Sequence, residues 1–321
     1  MKNLACLIAV LIVAWVPTQG GESYSLRIGN VLGDADPITI GLREMARTVD
    51  SRTHGQVKIE VYPSSRLGDT AEILEQAISG SAVGVIIDTG MLAAYVPEMA
   101  IYTAPYVFDN IRDARNFIET PMFAEWDGEL VRYGIRDLSC NWYQGARHFL
   151  TNVRVEKPVD LANLRVRTMG SEVAQESMRA FGAIPATLAW SKVYEGLRTD
   201  AIDAAEAQLS AAHGASLHEV IKFVAETGHF ILNTALVTSE KWFASLPEEY
   251  RKILRNESLR AGDYATSLTI EREGEFKSDM EDAGVVFTTV DIKPFIEASK
   301  AVYDVMDWAD LKRRIDLAIG K

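Results

Sequence analysis

The stretch DLANLRVRTMGSEVAQESMRAFGA (160–183) sets arginines at alternate positions, 165 and 167, of a short apolar run that passes directly into a helical pattern. Strand side chains alternate, so Leu164, Val166 and Thr168 share one face while Arg165 and Arg167 share the other. An arginine at the carboxyl end of a strand, just before a helix start, stands where open α/β sheets bind their ligands. Its guanidinium can hold a carboxylate through two parallel hydrogen bonds. A solvated strand face has the same spacing, and both readings stay open at this point. Arg147, in QGARHFLTN (144–152), follows an apolar strand and a glycine in a comparable way.

Other chemistry has less behind it. The chain contains no G-x-G-x-x-G, no G-x-x-x-x-G-K-[ST], no H-E-x-x-H and no G-x-S-x-G. Its histidines are 54, 148, 213, 218 and 229. His213 and His218 are five apart, whereas zinc-binding helices favour i, i+4, so capping or surface roles compete with metal binding. Asp200, Asp203 and Glu206 lack the oxygen density and central glycine of a calcium loop. Cys140 is left without a partner once the N-terminal segment carrying Cys6 is set aside, and its apolar-leaning context, DLSCNWY, points to a buried structural thiol. No metal and no cofactor are expected.

The elements around these residues form two similar series. YSLRIGNVL (24–32) and QVKIEVYPSSRLGD (56–69) alternate as strands, SAVGVIIDTG (81–90) reads as a buried strand, and two helical segments lie between them. This βαβαβ order implies a doubly wound sheet. A second unit starts near LSCNWYQGARHFLT (138–151) and runs on through LRVRT, two further helices and IDAAEAQL (202–209). The expectation is an α/β protein of two similar lobes, each a sheet flanked by helices. From about 246 to 283 the pattern is helical, about 50 Å at ~1.5 Å per residue. Such a helix could span both lobes. Ser245 with Glu248 reads as its capping box, and Gly262 and Gly274 as points where it bends.

The whole chain has 321 residues, is 48% hydrophobic and carries a formal net charge of −12. It can bury a large core. The acidic balance, without a lysine or arginine cluster, argues against nucleic acid and anionic membrane surfaces as partners. MKNLACLIAVLIVAWVPTQGGES opens with Lys2, then an apolar run from Leu4 to Val16 that is short for a membrane span. Residues 1–22 are read as an export signal cleaved near Gly20 to Ser23, which makes the remainder an exported protein, taken to be a monomer.

The segments GQVKIEVYPSSRLGD, ILEQAISGSAVGVIIDTG, YVPEMAIYTAPYVF, GARHFLTN, DLANLRVRT, GAIPATLAWSKVYEGLRTDAID and LPEEYRKIL, in this order and spacing, resemble the solute-binding proteins of TRAP (tripartite ATP-independent periplasmic) transporters. The resemblance implies the two-lobed periplasmic binding protein fold, with lobe I formed by 23–145 and 233–272 and lobe II by 146–232 and 273–321. It implies a periplasmic receptor, not an enzyme, that delivers a small organic carboxylate to TRAP membrane permease subunits. A ligand-sensing receptor and an exported hydrolase or isomerase are the alternatives, and the latter needs a nucleophile–base pair or a metal. By resemblance Arg167 binds the ligand carboxylate, Arg147 is a second basic contact, Trp190 packs on the ligand, and Asp88, Thr89, Gly90 and Met91 line the cleft. The sequence departs from the family where D-G-x-E-N-P becomes DAAEAQ: Glu206 is kept, while Ala207 stands for the ligand-touching Asn and Gln208 for the Pro. That departure predicts a less polar pocket, suited to a monocarboxylate with an apolar or aromatic body, to which Trp142, Tyr143 and Trp190 would contribute.

Overall fold

The computed structural model describes residues 23–321, so the export signal read at 1–22 lies outside the described residues. The first third of the chain alternates strands β1 (Tyr24–Gly29), β2 (Val57–Tyr62) and β3 (Val83–Asp88) with helices α1 (Pro37–Arg52), α2 (Thr70–Ile78) and the short α3 (Thr89–Leu92). Helices α4 (Ile111–Phe117) and α5 (Pro121–Leu130) lead to β4 (Ile135–Thr151). The second series runs through β5 (Arg165–Thr168), α6 (Glu172–Ala180), β6 (Ile184–Thr187), α7 (Val193–Arg198), β7 (Ala204–Ala207) and α8 (Leu209–Gly214) to β8 (Phe223–Ser239). The chain ends with α9 (Glu240–Ser245), α10 (Glu248–Asp282), β9 (Val286–Thr289), α11 (Lys293–Val305) and α12 (Ala309–Ala318).

The two series do not make separate sheets. The strands follow one path, β2-β1-β3-β8-β4-β7-β5-β6, with β9 on β8. The reason lies in β4 and β8, 17 residues each, which pair antiparallel from Ile135↔Ser239 to Thr151↔Phe223. At ~3.3 Å per residue each spans about 55 Å, long enough to serve both halves. The carboxyl end of β8 holds β3, while the carboxyl end of β4 holds β7 and the amino end of β8 holds β9. Register shifts interrupt the β4–β8 ladder between Asp137 and Phe149. Bulges of this kind bend and twist a ribbon, and they let one continuous sheet turn from one half to the other.

Four apolar clusters carry the core. One packs α1 and the middle of α10 against β1 around Ile28, Leu42 and Trp142, and another gathers Tyr102, Phe117 and Trp126 beneath α4 and α5. The other two, around Phe149, Met178 and Phe295 and around Leu150, Leu197 and Met280, lie on opposite sides of β5 and β7.

The long helix is present as one 35-residue element, and one detail of its sequence reading is corrected. Ser245 does not cap it: its hydroxyl donates back to the Trp242 carbonyl at 2.6 Å, closing α9, and Pro247 is the N-cap of α10. Gly262 marks a close crossing. A Cβ there would come within 2.4 Å of the Asn141 side chain of β4, whose amide donates to the Leu259 carbonyl at 2.7 Å.

Candidate functional site

The opening question about the paired arginines has two answers. Arg165 is exposed and forms an ion pair with Asp203 at 2.7 Å. Arg167 is 6% exposed, at the carboxyl end of β5, and it lines a cavity of about 310 Å³. The strand explains the difference: Arg165 begins it at the rim, and by Arg167 it has run beneath the cleft. Arg167 Nε donates to the Leu188 carbonyl at 2.9 Å, and its guanidinium stacks on the Trp190 ring at 5.2 Å. No carboxylate of the described residues pairs with it. Burial, and then the nearby Arg147 charge, lower its pKa to about 10, so it stays cationic at neutral pH.

Arg147 behaves differently. It is buried on β4 and pinned on every side. Nε donates to the Glu206 carboxylate, Nη2 to the Glu206 carbonyl at 2.5 Å, and Nη1 to Gln208 Oε1 at 2.9 Å. Glu206 also accepts from Thr168 Oγ1 at 2.9 Å, and His229 Nε2 stands 3.8 Å away, beyond hydrogen-bond length. Burial pushes the Glu206 carboxyl up, but the Arg147 charge, the adjacent His229 imidazole and the Arg147 hydrogen bond together outweigh it, and the pKa falls to about 2. His229, stacked on Phe149 at 4.5 Å, is held below its ordinary pKa by burial. The pair Arg147–Glu206 is therefore internally neutralised, and Arg167 is the cation left over.

The structure brings Arg147, Arg167, Trp190, Asp88 and Met91 together around the cavity. Asp88 ends β3 and caps α3, accepting from the Gly90 N–H at 3.0 Å, and burial raises its pKa to about 6. Thr89, Gly90, Glu206 and Ala207 are not on the cavity wall. Thr89 and Gly90 are buried in the first turn of α3, where a Cβ on Gly90 would meet Thr103 Oγ1 at 2.6 Å. Glu206 stands behind Arg147. Ala207 alternates to the other face of β7 and packs with Leu150 and Val193. The inference of a missing amide at Ala207 is thus corrected: one residue on, Gln208 turns its amide into the cavity. Trp142 and Tyr143 do not line the cavity either, and Trp142 is fully buried, with Nε1 donating to Ser139 Oγ at 3.0 Å.

Sequence reasoning missed Gln144 and Thr234, which line the cavity from β4 and β8. Gln144 lies only three residues before Arg147, but the bulge at Gly145, with φ +118°, sets it on the same wall, and no pattern in the sequence announces a bulge. The weaker motifs resolve as structure. His213 pairs with Asp279 at 3.3 Å, and no cluster of three or more metal-ligating side chains occurs among the described residues. Cys140 is buried, and burial pushes its thiol well above the usual range.

Residues 28–308 match the family described as DctP, bacterial extracellular solute-binding protein, family 7. The chain belongs to this family. A TRAP periplasmic solute-binding protein of Escherichia fergusonii, in an apo open structure, is 37% identical with a TM-score of 0.81, covering 92% of this chain and 100% of that one. One from Ochrobacterium anthropi with bound L-fuconate is 26% identical with a TM-score of 0.90, covering 93% and 100%. The 2,3-diketo-L-gulonate-binding periplasmic protein YiaO of Escherichia coli is 27% identical over 98% of each chain. The two-lobed α/β fold of the DctP family is therefore the fold of this protein. Among the described residues no helix is long and apolar enough to cross a membrane.

Proposed function

We propose that this DctP-family protein is the periplasmic receptor of a TRAP secondary transporter, without catalytic activity, capturing a monocarboxylate between its lobes and delivering it to the permease subunits. One observation carries the reading: Arg167, buried in the cavity wall, is a cation with no carboxylate partner among the described residues, beside an Arg147–Glu206 pair that already balances itself. Arg167 is thus the guanidinium left free to take a carboxylate of the ligand. A charged group is held so far from water when its counter-ion comes with the ligand.

The lobes are placed at 23–145 with 233–272, and at 146–232 with 273–321. This puts the crossing points in β4 and β8 beside the Gly145 bulge, where the strands can flex as a hinge. The backbone follows the fuconate-bound relative (TM-score 0.90) more closely than the more identical apo open one (0.81), which supports a closed arrangement of the cleft. The cavity falls within the size of small-ligand sites.

Val31, Leu32, Ile86, Met91, Met169 and Leu232 make much of the wall apolar. They, rather than Ala207, favour an acid with an apolar or aromatic body that also contacts Trp190. The test is a thermal-shift panel of apolar 2-oxo and 2-hydroxy acids, hexonates and dicarboxylates, with small-angle scattering at saturation. The expected result is stabilisation by the apolar monocarboxylates above the hexonates, and a more compact particle. Stabilisation by hexonates alone would reject the apolar body. An unchanged scattering profile with a saturating acid would reject hinge closure.

A further inference from the structure

Two buried charges of opposite sign border the cavity without a counter-ion. Arg167 gives Nε to the Leu188 carbonyl and forms no ion pair among the described residues. Asp88, 7% exposed, likewise forms none. One of its oxygens accepts from the Gly90 N–H at 3.0 Å, and the other has no hydrogen-bond partner among the described residues. The two groups do not serve each other. The charges that act on Asp88 are those of Arg147 and Glu206, and the same two act on Arg167.

The donors near Asp88 are already committed. Arg147 gives its hydrogens to Glu206 and Gln208. The Thr103 hydroxyl, which faces Asp88, donates to the Ala100 carbonyl at 3.2 Å. Burial raises the Asp88 pKa to about 6, so the group is still largely ionised at neutral pH. Asp69, the other carboxylate on the cavity wall, is half-buried and accepts from Ser65 Oγ at 3.2 Å. Around the cavity, the carboxylates of Asp69, Asp88 and Glu206 therefore outnumber the guanidiniums of Arg147 and Arg167 by one. A plain carboxylate ligand increases that excess, and an acid that also brings a cation does not.

We propose that Asp88 is a second anchor of the site and that the captured acid is zwitterionic, with a carboxylate for Arg167 and an ammonium group for Asp88 on an apolar body. The proposal rests on the carboxylate reading given above. A buried carboxylate without a counter-ion is costly, and an ammonium group from the ligand offsets that cost in the bound state. The ammonium also supplies donors to a group that accepts from a single N–H. A plain acid leaves this anion unpaired and adds another to the same cavity. A hydroxyl offers Asp88 one hydrogen and no charge.

The test is titration calorimetry of the exported protein at neutral pH with three matched sets. The first holds 4-methylpentanoate, 2-hydroxy-4-methylpentanoate and leucine. The second holds 3-phenylpropanoate, phenyllactate and phenylalanine, and the third hexanoate, 6-hydroxyhexanoate and 6-aminohexanoate. Both enantiomers of each chiral acid are used. In at least one set the amino acid is expected to bind about tenfold or more tightly than the plain acid, and more tightly than the hydroxy acid. Asp88→Asn keeps the size of the side chain and an acceptor for the Gly90 N–H, and it is expected to remove that advantage. Protonation acts in the same sense, so the advantage shrinks as the pH falls through about 6, where Glu206, with a pKa of about 2, does not titrate. Plain or hydroxy acids that bind as tightly as the amino acids in every set overturn the role given to Asp88 and leave the carboxylate reading standing. Binding by none of these acids overturns both. An unchanged advantage in folded Asp88→Asn overturns the role of Asp88 alone.

Discussion

Arg167→Ala is expected to abolish carboxylate binding at concentrations that saturate the native protein, without loss of stability. Truncating one partner of a buried charge pair costs ~2–5 kcal/mol, so affinity should fall about thirtyfold or more. The folded protein gives up little in exchange: Arg167 makes one hydrogen bond, to the Leu188 carbonyl, and stacks on Trp190. Removing it also relieves its repulsion with Arg147, which lowers the pKa of Arg167. Calorimetry and a thermal melt of the same sample check both halves. Near-normal affinity in the folded variant would make Arg167 a strand residue without a role in capture.

Glu206→Gln is expected to behave in the opposite sense, with stability falling first. The substitution keeps the shape and removes the charge, which strands Arg147 as a buried cation a short distance from another. Breaking a buried pair in this way costs ~3–5 kcal/mol. The carboxyl's own titration gives a similar figure. Its pKa falls from an ordinary 4.5 to about 2, worth ~3 kcal/mol at 1.36 kcal/mol per unit. The sign follows from the depressed pKa: the contribution is complete above about 4.5 and is lost as the pH falls toward 2. Urea unfolding at pH 7 and across pH 5 to 2 is the measurement, with the variant less stable at neutral pH and its acid-side slope reduced (~3 kcal/mol in all). Equal stability at pH 7 would show that Arg147 has another counter-charge.

These two residues illustrate what the sequence made legible. The alternation LRVRT, the strand-then-helix order and the position at a strand's carboxyl end made Arg167 a candidate beside a solvated strand face, and the family resemblance gave it the ligand carboxylate. The long helix followed from its periodicity, and its span of 248–282 lies close to the expected one. What the sequence hid was relational. Whether a pair of βα units closes into two sheets or joins through shared strands depends on how far β4 and β8 extend. Sequence patterning marked only the part of β4 from 138 onward, because Ile135–Asp137 has no alternation of its own. Arg147 and Arg167 look alike in the sequence, yet one is neutralised by Glu206 and the other is not. That difference comes from pairing β4 with β7, which places Phe149 opposite Glu206. Ala207 misled for the complementary reason. A strand turns successive side chains to opposite faces, so alignment position alone did not reveal that Gln208 would reach the cavity.

The most direct measurement is a crystal structure of the complex with the acid that stabilises the protein most in the thermal-shift panel. The account predicts the carboxylate on Arg167, with both oxygens about 2.7–2.9 Å from its guanidinium nitrogens, Arg147 still bound to Glu206, and the body of the ligand against Trp190. A carboxylate seated elsewhere in the cleft, with Arg167 touching no ligand oxygen, would contradict it.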